Sequence, residues 1–198
     1  MKPYVIVGLD LAGVESRPTG ACWLRGLQTR TSLLYSDREI IGWVLERAPD
    51  VVTIDAPLTL PPGRESIEQR NACHLRPCDE ELRRRKIPFF PITLGPMRKL
   101  TQRGMHLSRS LEERGIRAVE VYPGGAQDVL GLPRVKHSPD GLLRGLKELG
   151  IRGLRGRVSA HELDAVTAAY VGLLFLRGEA EVLGDFSSGA IIMPFSSR

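Results

Sequence analysis

The chain has 198 residues, 42% apolar and 26% charged, which are globular proportions that exclude a disordered or fibrous chain. That length suits one domain, or one domain with a sizeable insertion, able to fold without disulfides or a structural metal. Lys and Arg number 28 against 23 Asp and Glu, and the resulting net charge of +5 points toward an anionic partner.

Three cysteines (Cys22, Cys73, Cys78) and no C-x-x-C make a disulfide framework unexpected, so a reduced cytoplasm is the expected location. The apolar run at 4–9 ends in Asp10, too short for the core of a secretory signal. The longest apolar stretch, 168–176, is about half the ~20 residues of a spanning helix, so no membrane association is expected.

In chain order, 3–10 reads as a buried strand, a continuous apolar run closed by Asp10. Residues 19–27 and 27–35 read as two short antiparallel strands. Ser36 or Asp37 caps a helix over 39–47, which Pro49 stops. A second β-branched apolar run, 50–54, ends in Asp55. Residues 60–115 then break the rhythm: proline-rich, strongly basic, with helices expected at 78–85 and 101–114. They read as an insertion or cap within one domain spanning 1–198, because large apolar residues are too few there for a second core. A fifth strand is expected at 116–121, then helices at 126–130 and 140–149. Ser159 and Glu162 form an S-x-x-E capping box that opens the clearest helix, running to about residue 176. On it His161, Asp164, Ala165, Ala168 and Gly172 share one face, whose small residues let the helix lie close to a sheet.

Charge is unevenly distributed. Residues 82–109 hold eight basic side chains and no acidic one; 131–157 hold seven against two. From the first stretch Arg83, Arg84, Arg85, Lys86, Arg98 and Lys99 are the candidate nucleic-acid contacts, a solvated helix face being the plainer reading.

The recurring feature is an aspartate at the end of an apolar segment: Asp10, Asp55 and, in the first turn of the last long helix, Asp164. Singly, each has a structural explanation as a turn residue, a strand terminator or a helix N-terminal acid. Jointly they can meet, since sites in α/β sheets form outside the carboxyl ends of strands. Such an oxygen-rich cluster suits Mg²⁺ or Mn²⁺, and two such ions support phosphodiester hydrolysis. Glu120 ends the fifth strand and is a candidate fourth carboxylate, a partner behind the ligands, or a surface residue. Cys73, His74 and Cys78 are poorly spaced for tetrahedral zinc, and Tyr122, Trp23 and Trp43 read as packing residues.

The motifs V-G-L-D-L-A-G (7–13), I-D-A-P-L (54–58), R-P-C-D-E-E-L-R (76–83), E-V-Y-P (120–123) and H-E-L-D-A-V-T-A-A (161–169) resemble the ribonuclease H-like superfamily. More narrowly they resemble a family known as domain of unknown function 429, described as predicted RNase H-like nucleases. The resemblance implies an α/β fold with a five-stranded mixed sheet of order 3-2-1-4-5, strand two antiparallel, and helices on both faces, here with a basic helical insertion. It also implies an acidic site of Asp10, Asp55 and Asp164, with His161 and Asp164 similar to the last-helix pair of RuvC-type junction resolvases. Asp55 departs from the glutamate usual in those resolvases. The expectation is a metal-dependent nuclease acting on DNA or RNA. Asp10 would bridge two ions, Asp55 and Asp164 would hold one each, and His161 would bind metal or assist the leaving group. A nuclease-like module that binds without cutting, and an actin- or sugar-kinase-like phosphotransferase, are the alternatives. The oligomeric state, a homodimer included, is left open.

Overall fold

The structure is a computed structural model describing residues 2–196. Five strands, β1 (Val5–Asp10), β2 (Thr19–Arg25), β3 (Gln28–Leu34), β4 (Val51–Ile54) and β5 (Ala118–Glu120), form one sheet in the order β3-β2-β1-β4-β5. β2 is antiparallel to both neighbours, whereas β1, β4 and β5 run parallel. The expected order and the expected antiparallel strand are both present. The parallel trio matters for chemistry, because all three strands release their C-terminal residues at the same edge of the sheet.

Pleating then decides which face each terminal acid takes. Leu9, Ile54 and Glu120 stand level in the ladder, and Asp10 and Asp55 each follow by one residue. Leu9 and Ile54 belong to the apolar cluster under α1 (Asp37–Leu45) and α3 (Gly95–Glu112). Side chains alternate between faces along a strand, so Asp10 and Asp55 turn to the opposite side, where α6 (Ala160–Leu176) lies.

Ten of the 17 residues of α6 are buried, which is why its sequence is apolar on most sides rather than along one stripe. Its capping box forms as expected: the Ser159 hydroxyl accepts from the Glu162 N–H, and the Glu162 carboxylate accepts from the Ser159 N–H. The helix sits tightly on the sheet because glycines make room. A methyl group on Gly8 would collide with the Ala165 carbonyl, and one on Gly20 with that of His161. Filling either position would cost about 1–3 kcal/mol and lift the helix that carries Asp164. Two shorter helices, α4 (Pro123–Val129) and α5 (Pro139–Glu148), join the α6 side of the core.

The connection from β4 to β5 carries α2 (Pro77–Arg84) as well as α3. Helix α3 starts at Gly95, six residues before the expected start, because Pro96 fits the first helical turn, where its missing N–H costs nothing. The connection's few apolar residues are completed from elsewhere. Cys78 and Leu82 of α2 pack with Leu183, Ile191 and Met193 of a C-terminal hairpin, β6 (Ala180–Asp185) and β7 (Gly189–Pro194), which the sequence reading did not anticipate. Arg103 on α3 is buried and donates to Asp37, to the Ala12 carbonyl (2.7 Å) and to the Tyr35 carbonyl. This staple fixes the connection over the turn that follows Asp10. No helix among the described residues is long and apolar enough to cross a membrane.

Candidate active site

Asp10 and Asp55 leave adjacent parallel strands side by side, and the Asp55 N–H donates to the Leu9 carbonyl at 2.8 Å, which locks that register. Helix α6 brings His161 and Asp164 from above. His161 Nδ1 lies 2.6 Å from Asp10 Oδ2, and this hydrogen bond raises the imidazole pKa, with burial opposing it. Asp164 Oδ1 accepts from Gln127 Nε2 at 2.7 Å. Burial, with Asp10 adding to it, pushes the Asp164 carboxyl up to about 7, against the pull of Gln127, His161 and Arg134.

Asp55 is the least compensated acid of the set. Burial raises its pKa well above the carboxylate range, and Asp10, Asp164 and Glu120 each raise it further. No hydrogen-bond donor among the described residues relieves it. A carboxyl in that position must hold a proton or meet a cation. Three aspartates and one imidazole are the oxygen-rich donor set that Mg²⁺ or Mn²⁺ favours, and the uncompensated charge on Asp55 fits a cation from outside the chain. As they stand, no three His, Cys, Asp or Glu side chains among the described residues are close enough to hold an ion. The predicted ligands therefore share one end of the sheet without being drawn into a coordination shell.

Glu120 has a different environment. It is buried, and both its oxygens accept from Arg76, at 2.6 and 2.8 Å, while the Leu58 N–H adds a third bond at 2.9 Å. Asp79 completes the cluster by accepting from Arg76 Nε (3.1 Å), Nη2 (2.9 Å) and backbone N–H (2.9 Å). Of the three readings of Glu120, the surface one does not describe it.

The basic stretch is less free than its window suggested. Arg83 pairs with Glu80, Arg84 with Glu81 and Arg98 with Glu68, while Arg85 makes a two-pronged contact with Glu181 at 2.6 and 2.9 Å. Glu80 and Glu81 lie just before residues 82–109 and Glu68 and Glu181 farther off in the chain, so counting within that span overstates the available positive charge. Lys86 and Lys99 have no carboxylate partner among the described residues. Cys73, His74 and Cys78 do not converge: His74 meets Thr93, and Cys78 is buried beside Asp79.

Three residues at the site escaped the sequence reading. Gln127 is fully buried and orients Asp164. Arg76 neutralises Glu120 from 44 positions away. Arg134, gripped by Asp128, donates to the Tyr122 hydroxyl at 3.1 Å and lends positive charge near Asp164. Only Arg76 left a signal, as the first residue of the R-P-C-D-E-E-L-R motif.

A mixed sheet in this order, with acids at the ends of β1 and β4 and a third on the helix that crosses them, defines the ribonuclease H-like fold. Two solved structures share it: Thermus thermophilus RuvC in complex with a Holliday junction substrate (TM-score 0.53, 13% identity) and Thermus thermophilus RuvC (TM-score 0.50, 10% identity). Each similarity covers 94% of this chain and 99% of the other. Residues 8–187 match the family described as "Protein of unknown function (DUF429)", and the chain belongs to that family. No curated protein sequence matches it.

Proposed function

We propose that this protein is a divalent-metal-dependent nuclease that hydrolyses phosphodiester bonds at the Asp10–Asp55–Asp164 end of its sheet. The observation that carries the reading is Asp55, an under-compensated carboxyl held next to Asp10 by strand register and facing Asp164 from the crossing helix. The RNase H-like fold shared with a resolvase seen on its junction substrate supports it.

Asp10, Asp55 and Asp164 would hold Mg²⁺ or Mn²⁺, which when bound activates water and neutralises the charge that builds on a phosphoryl group. The chain's own groups do the rest. Gln127 fixes one oxygen of Asp164 and leaves the other to face the site. Asp10 orients the His161 ring through Nδ1, so that a proton held on Nε2 can be given to a departing oxygen. Arg76 and Glu120 hold the end of β5 against α2 and act as positioning residues. Lys86 and Lys99 are exposed to a passing backbone, in keeping with the basic connection as the strand's track.

The test uses end-labelled single-stranded DNA, single-stranded RNA, an RNA–DNA hybrid and a four-way junction, each with Mn²⁺ or Mg²⁺. Metal-dependent cutting of at least one is expected, and Asp10→Asn should slow it by on the order of a thousandfold. Wild-type cutting by that variant, or no cutting of any substrate, would overturn the proposal. The phosphotransferase alternative gains nothing from the structure, whose α/β part is one five-stranded sheet among the described residues.

A further inference from the structure

A cavity of about 200 Å³ opens beside Asp55, between β5 and the β4–β5 connection. Phe89, Phe90, Tyr122 and Met97 line its apolar side, and Arg76 lies at the other. Phe90 is 71% exposed, a large aromatic ring left in water beside a charged site, where burial gives it no reason to be. The aromatic wall is held in place: the Tyr122 hydroxyl donates to the Pro88 carbonyl at 2.6 Å, next to both phenylalanines.

The polar side restricts what can enter. Arg76 is 2% exposed and has five N–H donors. Nε and one Nη2 hydrogen go to Asp79; the other Nη2 hydrogen and one Nη1 hydrogen go to Glu120. One Nη1–H is left over in a buried group that lines the cavity, and it calls for an acceptor. The acceptor cannot be an anion, because Arg76, Asp79 and Glu120 together carry a net negative charge and Asp55 stands next to them. A neutral, flat ring with a carbonyl or ring-nitrogen acceptor meets both demands, stacking on the phenylalanines and accepting from Arg76.

We propose that this cavity takes one unstacked nucleobase, from the nucleotide adjoining the phosphate held at the carboxylates. The strand's path rests on the nuclease reading; the affinity for a base does not, and the two can be tested apart. The full chain carrying ¹³C-methyl methionine is titrated with adenosine, guanosine, cytidine and uridine, and with p-cresol as a ring that lacks a base's polar edge. Met97 lines the cavity, whereas Met105 lies in another groove and is the internal control; Met193 belongs to the hairpin cluster that Phe89 and Tyr122 of the cavity wall pack against. At least one nucleoside should shift the Met97 methyl saturably and leave Met105 still, and Phe90→Ala should weaken that binding roughly tenfold.

A Met97 signal that no nucleoside moves, or that p-cresol moves at equal affinity, overturns the proposal; the second result would mark a general apolar groove. Cutting activity with a silent Met97 keeps the nuclease and removes the base site. A responsive Met97 in a chain that cuts nothing keeps the base site and removes the nuclease.

Discussion

Two groups of carboxylates lie at the same end of this molecule, and they differ in what compensates them. Asp79 and Glu120 are buried around one guanidinium, and between them their four oxygens accept six N–H bonds from Arg76 and the backbone. Asp10, Asp55 and Asp164 share one imidazole and one amide, and Asp55 receives no hydrogen bond among the described residues. Identical side-chain chemistry thus gives a closed cluster that holds the fold together and an open one that needs charge from outside. The difference follows from the pleat: Glu120, level with Leu9 and Ile54, is turned toward α2 and its arginine, while Asp10 and Asp55 are turned toward a helix that brings another acid.

The sharpest way to break this contrast is to neutralise the open group. Asp55→Asn should cut metal-dependent cleavage on the order of a thousandfold. In metal-free buffer it should also melt no lower than wild type, because it removes a buried carboxyl that no donor among the described residues relieves. Gel assays and thermal melts check both halves; a lower melting temperature would show that Asp55 is structural.

Opening the closed group should have the opposite signature. Arg76→Ala leaves Glu120 and Asp79 buried and unpaired, which should cost about 3–5 kcal/mol of stability. Urea unfolding measures it, and a loss below about 1 kcal/mol would mean that the cluster is not what holds α2 to β5.

A third test uses pH. Asp164 titrates near 3.8 as a free carboxyl and near 7 in the folded chain. Between those values the folded chain holds a proton that the unfolded chain has lost, so stability falls as pH rises. Asp55 and His161, both raised in the folded state, act with the same sign. Metal-free protein should therefore melt lower at about pH 8 than at about pH 5, and added Mn²⁺, which needs the deprotonated acids, should stabilise more at the higher pH. A flat melting profile in chelator would mean that the acids are already compensated.

The sheet order was legible only through the resemblance of the motifs to the ribonuclease H-like superfamily, whereas the strand ends at Asp10 and Asp55 and the start of the last long helix rest on local grammar. An apolar run that stops at an acid marks a strand end, and S-x-x-E marks where α6 begins. What stayed hidden depends on pairing across distance. Nothing near Arg76 announces Glu120, and nothing near Gln127 announces Asp164, because a buried polar contact leaves no periodicity. The C-terminal hairpin was missed for a related reason: its strands are short, and its apolar side chains gain meaning only against Cys78 and Leu82 of a remote helix. The surplus of arginine misled in the opposite direction, since the glutamates that neutralise it sit a residue or more beyond the window.

That hairpin has a bearing on where the chain can be shortened. Gly189 sits so close to Arg76 that a methyl group there would touch the arginine's own Cβ, and Gly184 leaves equally little room beside Cys78. A fragment ending after α6 would retain every predicted metal ligand, yet would expose the guanidinium on which Glu120 depends. Trimming a tail that looks dispensable would thus unseat one wall of the cavity beside Asp55, and domain dissection of this protein should keep its last two strands.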